Sequence, residues 1–249
     1  MERRTEDPPA YLLTDELVDI VRMAEDKGGG ERSLALQALA WILPAPEFAE
    51  QVRTFLGELE EPRRHGFLVD LGYIGNYPED RQRALYPVML AELRAHFLPE
   101  SWMTSPHFDT YRGMLDILAG ARYLEAIPYV MELANAHRSP YSEALFFALP
   151  RMGLPAVPSI RVLMEDRRME QQLLGIEMLP ILARLDPVAG FTNPVTAEDF
   201  LKIKREIDRT FLPLLRRLSE DRSKDERVRD AARTAIQEIM AEKAWVDSR

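Results

Sequence analysis

Apolar residues recur at intervals of three and four along nearly the whole chain, and no segment shows the period of two that a half-buried strand requires. The spacing predicts a string of helices. The first opens at Thr14 with Asp15 and Glu16, buries Leu17, Ile20, Val21 and Ala24, and ends at Gly28-Gly29-Gly30. A second covers 31–43 through Leu36, Leu39 and Ile42 and stops at Pro44 and Pro46. Others follow over 47–60, 63–74, 79–97 and 106–119, the last entered through Ser105-Pro106, a capping residue followed by proline at the first helical position. Further helices fill 122–243, and the loops are short except at 97–105 and 186–197.

Part of this string repeats. Shifting the chain by 30 residues lays 121–150 over 151–180 without a gap. Identical pairs result at Leu124/Leu154, Ala126/Ala156, Pro128/Pro158, Leu133/Leu163, Arg138/Arg168, Leu149/Leu179 and Pro150/Pro180. Each copy reads as a helical hairpin: a first helix opening at Ile127-Pro128 or Val157-Pro158, a polar turn, and a second helix reaching Pro150 or Pro180. Phe211-Leu212-Pro213-Leu214-Leu215, with Leu218 in the place of Leu133 and Leu163, starts a third copy, which continues through Asp225-Glu-Arg-Val-Arg-Asp-Ala-Ala-Arg. Tyr86-Pro87-Val88-Met89 begins a weaker one at different spacing.

A lone hairpin leaves its apolar face uncovered, so such hairpins stack and share a core with their neighbours. The predicted helix at 171–185 is apolar almost all round, as expected of an element covered on several sides. The last helix is amphipathic instead, with Val228, Ala231, Ala232, Ala235, Ile236 and Ile239 on one side and Arg227, Asp230, Arg233, Gln237 and Glu238 on the other, which suits a terminal cap. Pro150 and Pro180 each remove a backbone donor from a second helix and bend it.

The apolar-Pro-x-apolar first helix, the acidic turn and the Val-Arg-x-x-Ala-Ala opening of the second helix resemble the HEAT-like repeat, well at 211–239 and recognisably at 121–180. The resemblance implies an all-α superhelix, a solenoid of about six stacked antiparallel hairpins. It also implies a single repeat domain over 14–249 after a flexible segment at 1–13, with clearest copies at 121–150, 151–180 and 205–243 and more divergent hairpins over 14–120. Second helices line the concave side of such stacks. HEAT-like proteins include scaffolds that hold a protein or peptide in that groove, DNA glycosylases for alkylated bases, and lyases that attach bilins.

Composition narrows these options. The 249 residues are 46% hydrophobic and 29% charged, a globular balance, and contain no cysteine, so disulfides, thiolate nucleophiles and Cys-ligated metals are excluded. The opening Met1–Pro9 stretch lacks the apolar run of a secretory signal, and no window is apolar enough to span a membrane. A soluble, cytoplasmic protein is expected. The formal charge is −9, with residues 201–249 at +3 and the remainder at −12. An acidic body repels phosphate backbones, which disfavours the glycosylase reading and nucleic acid as a partner.

Candidate chemistry is sparse. Glu92 and His96 share a helix face at four-residue spacing but lack a third ligand, and read as an ordinary surface pair. His65 and His137 stand beside arginines, and His107 with Asp109 lies at a helix start. Glu165-Asp166 and Glu220-Asp221 occupy equivalent turns, where they cap helices or accept turn amides. Arg138, Arg168 and Arg229 fit the ladder of turn Asp and helix Arg side chains that the resemblance to HEAT-like repeats implies. No glycine-rich phosphate loop or serine elbow exists, and neither catalytic residues nor a cofactor or metal are expected. The reading is a non-enzymatic scaffold for a protein or peptide. Its candidate contacts are Trp102 and Phe191 in polar loops, Tyr141 at the start of a second helix, and Arg227 and Arg233 on the last helix, residue types favoured at binding hot spots.

Overall fold

A computed structural model describes residues 10–23, 30–60, 63–98, 107–136, 143–184 and 196–247, side chains being described over most of these. The described residues are all helix and turn, without a strand. The helices are α1 (Ala10–Met23), α2 (Gly30–Ile42), α3 (Ala45–Glu58), α4 (Arg63–Leu71), α5 (Glu79–His96), α6 (Phe108–Gly120), α7 (Ile127–Ala136), α8 (Glu143–Met152), α9 (Val157–Glu165), α10 (Met169–Ala183), α11 (Ala197–Glu206), α12 (Leu212–Glu220) and α13 (Glu226–Asp247). The chain divides into two compact units, Met1–Glu92 with Asp109–Met114, and Leu93–Phe108 with Leu115–Arg249.

In the first unit α1 packs on α2, and α2 on α3 and α4. α1 begins at Ala10, ahead of the expected start at Thr14, and its phase buries Val18 and Val21 while Ile20 is 39% exposed, a correction to the expected stripe. Gly30 opens α2 instead of closing α1, and Gly28 and Gly29 lie outside the described residues. Phe48 meets Tyr77 edge-on, and Phe55 meets Phe67, among fully buried Leu36, Leu39 and Val52. Tyr86-Pro87 lies inside the 18-residue α5, so it does not open a helix and starts no further copy of the repeat.

The second unit carries the repeat. Leu124–Ala126 and Leu154–Ala156 each form a 3-10 turn, followed by α7 or α9 and then by α8 or α10. Equivalent residues have equivalent surroundings. Ala126/Ala156, Val130/Ile160, Leu133/Leu163 and Leu149/Leu179 are buried, Pro128 and Pro158 are exposed at the first turn, and Pro150 and Pro180 lie buried inside the second helix. The approach to the 3-10 turn differs between the copies. Gly153 leads into the second at φ +74°, whereas in the first copy the positive φ, +54°, falls on Arg122.

α9 and α10 pack closely because Gly175 lacks a side chain: a Cβ there would stand 2.8 Å from both the Cγ and the backbone nitrogen of Met164. α10 also packs against α8 and α13, and α12 against α13. Its burial on most sides matches the run of apolar residues from Leu173 to Leu182, which Glu177 alone interrupts with a charge. α12 has the opposite pattern, with Leu212, Leu214, Leu215 and Leu218 buried and Pro213, Arg216 and Arg217 exposed. A π-helical turn, Ile207–Phe211, joins α11 to α12 just ahead of Pro213. Proline cannot donate to the preceding turn and its ring crowds the carbonyl four residues back, so the helix widens there.

Polar groups that sequence periodicity does not reveal tie the elements down. Tyr129, fully buried, shares its hydroxyl proton between Phe97 O at 2.5 Å and Leu93 O at 3.1 Å. Lys204 Nζ donates to Ala183 O, an end carbonyl of α10, at 2.7 Å. In the first unit Arg81 donates to Leu43 O at 3.1 and 2.8 Å.

Candidate functional site

The turn carboxylates are structural. Asp166 Oδ1 accepts from the backbone N–H of Arg168 at 2.8 Å, and Asp225 Oδ1 does the same for Arg227 at 2.9 Å; each also pairs with that arginine's guanidinium. These bonds hold both carboxyls below the usual carboxylate range. Asp221 Oδ1 likewise accepts from Ser223 N and Oγ, at 2.9 and 2.6 Å. Carboxylates committed in this way serve neither as acid nor as base. Arg168 further donates to Asn135 O and Oδ1, at 2.8 and 3.1 Å, joining one turn to the previous copy in the manner of the expected ladder. At the third turn the pairing with the turn aspartate falls to Arg227 rather than to Arg229.

Glu92 is not a surface residue. It is 6% exposed, and Arg64 Nη2 lies 2.8 Å from both of its carboxylate oxygens, whereas His96 is exposed. A second ion pair that periodicity misses joins Arg32 of α2 to Asp70 of α4, at 2% and 5% exposure. Among the described residues no group of three or more His, Asp or Glu side chains could hold a metal ion, and no helix is long and apolar enough to cross a membrane.

A concavity of the second unit brings three of its helices together. A cavity of about 420 Å³ is lined by Phe147 of α8, by Ile176, Glu177, Pro180, Ile181 and Arg184 of α10 and its C-terminal end, and by Ala231, Thr234, Ala235 and Glu238 of α13. The α10 and α13 residues recur at three, four and seven, so each helix presents one stripe to it. Most of the lining is apolar. Arg184 Nη2 pairs with Glu238 Oε2 at 3.0 Å. Arg151, whose guanidinium lies 5.3 Å from the centre of the Phe147 ring, pairs with Asp116 at 2.9 Å. Glu177 alone among these charges has no hydrogen-bond or ion-pair partner among the described residues. Burial pushes its carboxyl up to about 6. Desolvation without compensation is a common mark of a charged group placed for something other than folding.

Of the expected contact residues, Trp102, Tyr141 and Phe191 lie outside the described residues, as do His137 and Arg138. Arg227 is exposed and held by Asp225; Arg233 is exposed, with Nη2 2.7 Å from Asp230 Oδ1 and Nε donating to Arg229 O. Neither lines the cavity, although Arg233 stands next to Thr234, which does. Glu177 is legible in sequence as the single acid within Leu173–Leu182. Another cavity, of about 310 Å³, lies among the first helices and carries Arg161, Arg209 and Arg217 with Glu165. In the first unit α2 leaves Leu34 and Trp41, seven residues apart and so on one stripe, 66% and 69% exposed.

No protein-family model and no curated protein matches the chain. Among solved structures, the crystal structure of an engineered protein aligns over 92% of this chain and 97% of its own, at 16% identity and a TM-score of 0.42.

Proposed function

We propose that this protein is a non-enzymatic scaffold, a HEAT-like stack of hairpins that binds a protein or peptide segment on the face formed by its second helices. One observation carries the reading: α8, α10 and α13 are the second helices of the three copies, and the cavity of about 420 Å³ is lined by these three. A mostly apolar concavity with a few placed charges on rigid helices is the usual form of a recognition site. Preformed helices also lose little ordering entropy on binding. The committed turn carboxylates fit a structural role for the acidic residues. The chain's charge of −9 weighs against nucleic acid.

Selection from a displayed library of random linear peptides tests this. Enriched peptides should bind the native chain, and Ala235→Trp, which fills the cavity, should weaken them at least about tenfold, the scale of losing one buried anchor. Equal binding to the variant overturns the reading. So does a failure to enrich peptides together with salt-dependent binding of duplex DNA.

A further inference from the structure

Glu177 presents an unexplained cost. Of the residues that line the cavity with it only Arg184 and Thr234 carry a side-chain donor, and neither hydrogen-bonds Glu177; the rest of its surroundings there are mostly apolar, Ile176, Pro180, Ile181, Ala231 and Ala235. The one guanidinium that lines the cavity, Arg184, pairs with Glu238, and Arg151, against the Phe147 ring, pairs with Asp116. A glutamine would fill the same volume without a charge to desolvate, and a leucine would extend the apolar surface of α10. A residue that breaks the local pattern with no compensating contact among the described residues marks a place where the compensation comes from outside.

Building on the scaffold reading above, we propose that the cavity between α8, α10 and α13 is the anchor pocket for a basic side chain, lysine or arginine, of the bound peptide, with the Glu177 carboxylate as its counter-ion. The lining suits both parts of such a side chain. Its methylenes lie along Ile176, Ile181, Ala231 and Ala235 while the cationic head reaches Glu177. Lining charges sum to one net negative, Glu177 and Glu238 against Arg184, so an acidic side chain is repelled and a neutral one leaves Glu177 uncompensated. A volume of about 420 Å³ admits one long side chain and its flanking backbone.

A double-mutant cycle between protein and peptide tests the pairing. The probe is the tightest peptide from the selection above, with each Lys or Arg replaced in turn by norleucine, which keeps the stem and removes the charge. Norleucine at one position should weaken binding to the native chain at least about tenfold and to Glu177→Gln by less than about twofold. Equal losses on both proteins overturn the pairing, as does a selected set without any basic residue. Either result leaves the groove itself standing if Ala235→Trp still abolishes binding. Peptides indifferent to Ala235→Trp sink the groove. The peptide-side substitutions need no protein variant to fold, and native-like helical circular dichroism checks that Glu177→Gln and Ala235→Trp, at a position 3% exposed, both do.

Discussion

At the residue scale the informative side chains are charges drawn wholly or half out of water, and they fall into two kinds. Arg32 and Asp70 compensate each other at 2% and 5% exposure, and Asp70 also raises the buried Tyr77 hydroxyl, after burial itself, above its ordinary range. Removing one partner strands the other in a low-dielectric site. Asp70→Ala should therefore cost about 3–5 kcal/mol in urea denaturation, whereas Arg32→Met with Asp70→Leu should recover most of that loss. Glu177 is the opposite kind, a half-buried charge without a partner among the described residues. Its folded value of about 6 lies above the ordinary 4.5, so the native state binds the extra proton between those values. The resulting stability is fully present below pH 4.5 and is lost as pH rises through 6. Glu177→Gln should accordingly be more stable than the native chain at pH 7.5, by about 1 kcal/mol once the shift is discounted for solvent screening, and differ little from it at pH 4. Thermal melts of both proteins across that range check the sign. Higher stability together with weaker peptide binding is a combination that a purely structural residue does not produce.

At the element scale, local rules account for most helices and tertiary contacts for their exceptions. Periodicity puts Val228, Ala231, Ala232, Ala235, Ile236 and Ile239 of α13 on the inner side; four of them are buried, and Ala231 and Ile236 are half-buried. The stripe it expects on α1 is misphased, because Ile20 and Val18 are interchangeable to a period-matching rule and only packing against α2 separates them. Tyr86-Pro87 has the local form of a helix start, yet the helix runs through it, since Pro87 is exposed and α5 is anchored on either side by buried Leu85, Val88 and Met89. Gly175 shows a close approach that no motif announces. Gly175→Ala places a methyl 2.8 Å from the backbone nitrogen of Met164 as well as from its side chain. It should destabilise by about 1–3 kcal/mol despite alanine's better helix propensity. Trimming Met164 to alanine should not restore it, because the backbone clash remains; equilibrium denaturation of the single and double variants decides this.

At the scale of the whole molecule, the order of residues is enough to establish that the chain is helical, where most helices begin and end, and that 121–150 and 151–180 are copies of one hairpin. Those properties are local: periodicity, proline positions and turn chemistry act over a few residues and leave their record in order along the chain. The candidate site is not of that kind. Phe147, Glu177 and Glu238 are separated by 30 and 61 residues, and only the packing of α10 against both α8 and α13 brings them to one cavity. Sequence could expose Glu177 as the lone acid on an apolar helix. Whether that acid has a partner depends on what Arg184 and Arg151 do, and those choices are made by Glu238 and Asp116 in three dimensions. Burial of Arg32, Asp70 and Glu92 is hidden for the same reason, since a charge reads as surface until the folded chain supplies the opposite charge that lets it leave water.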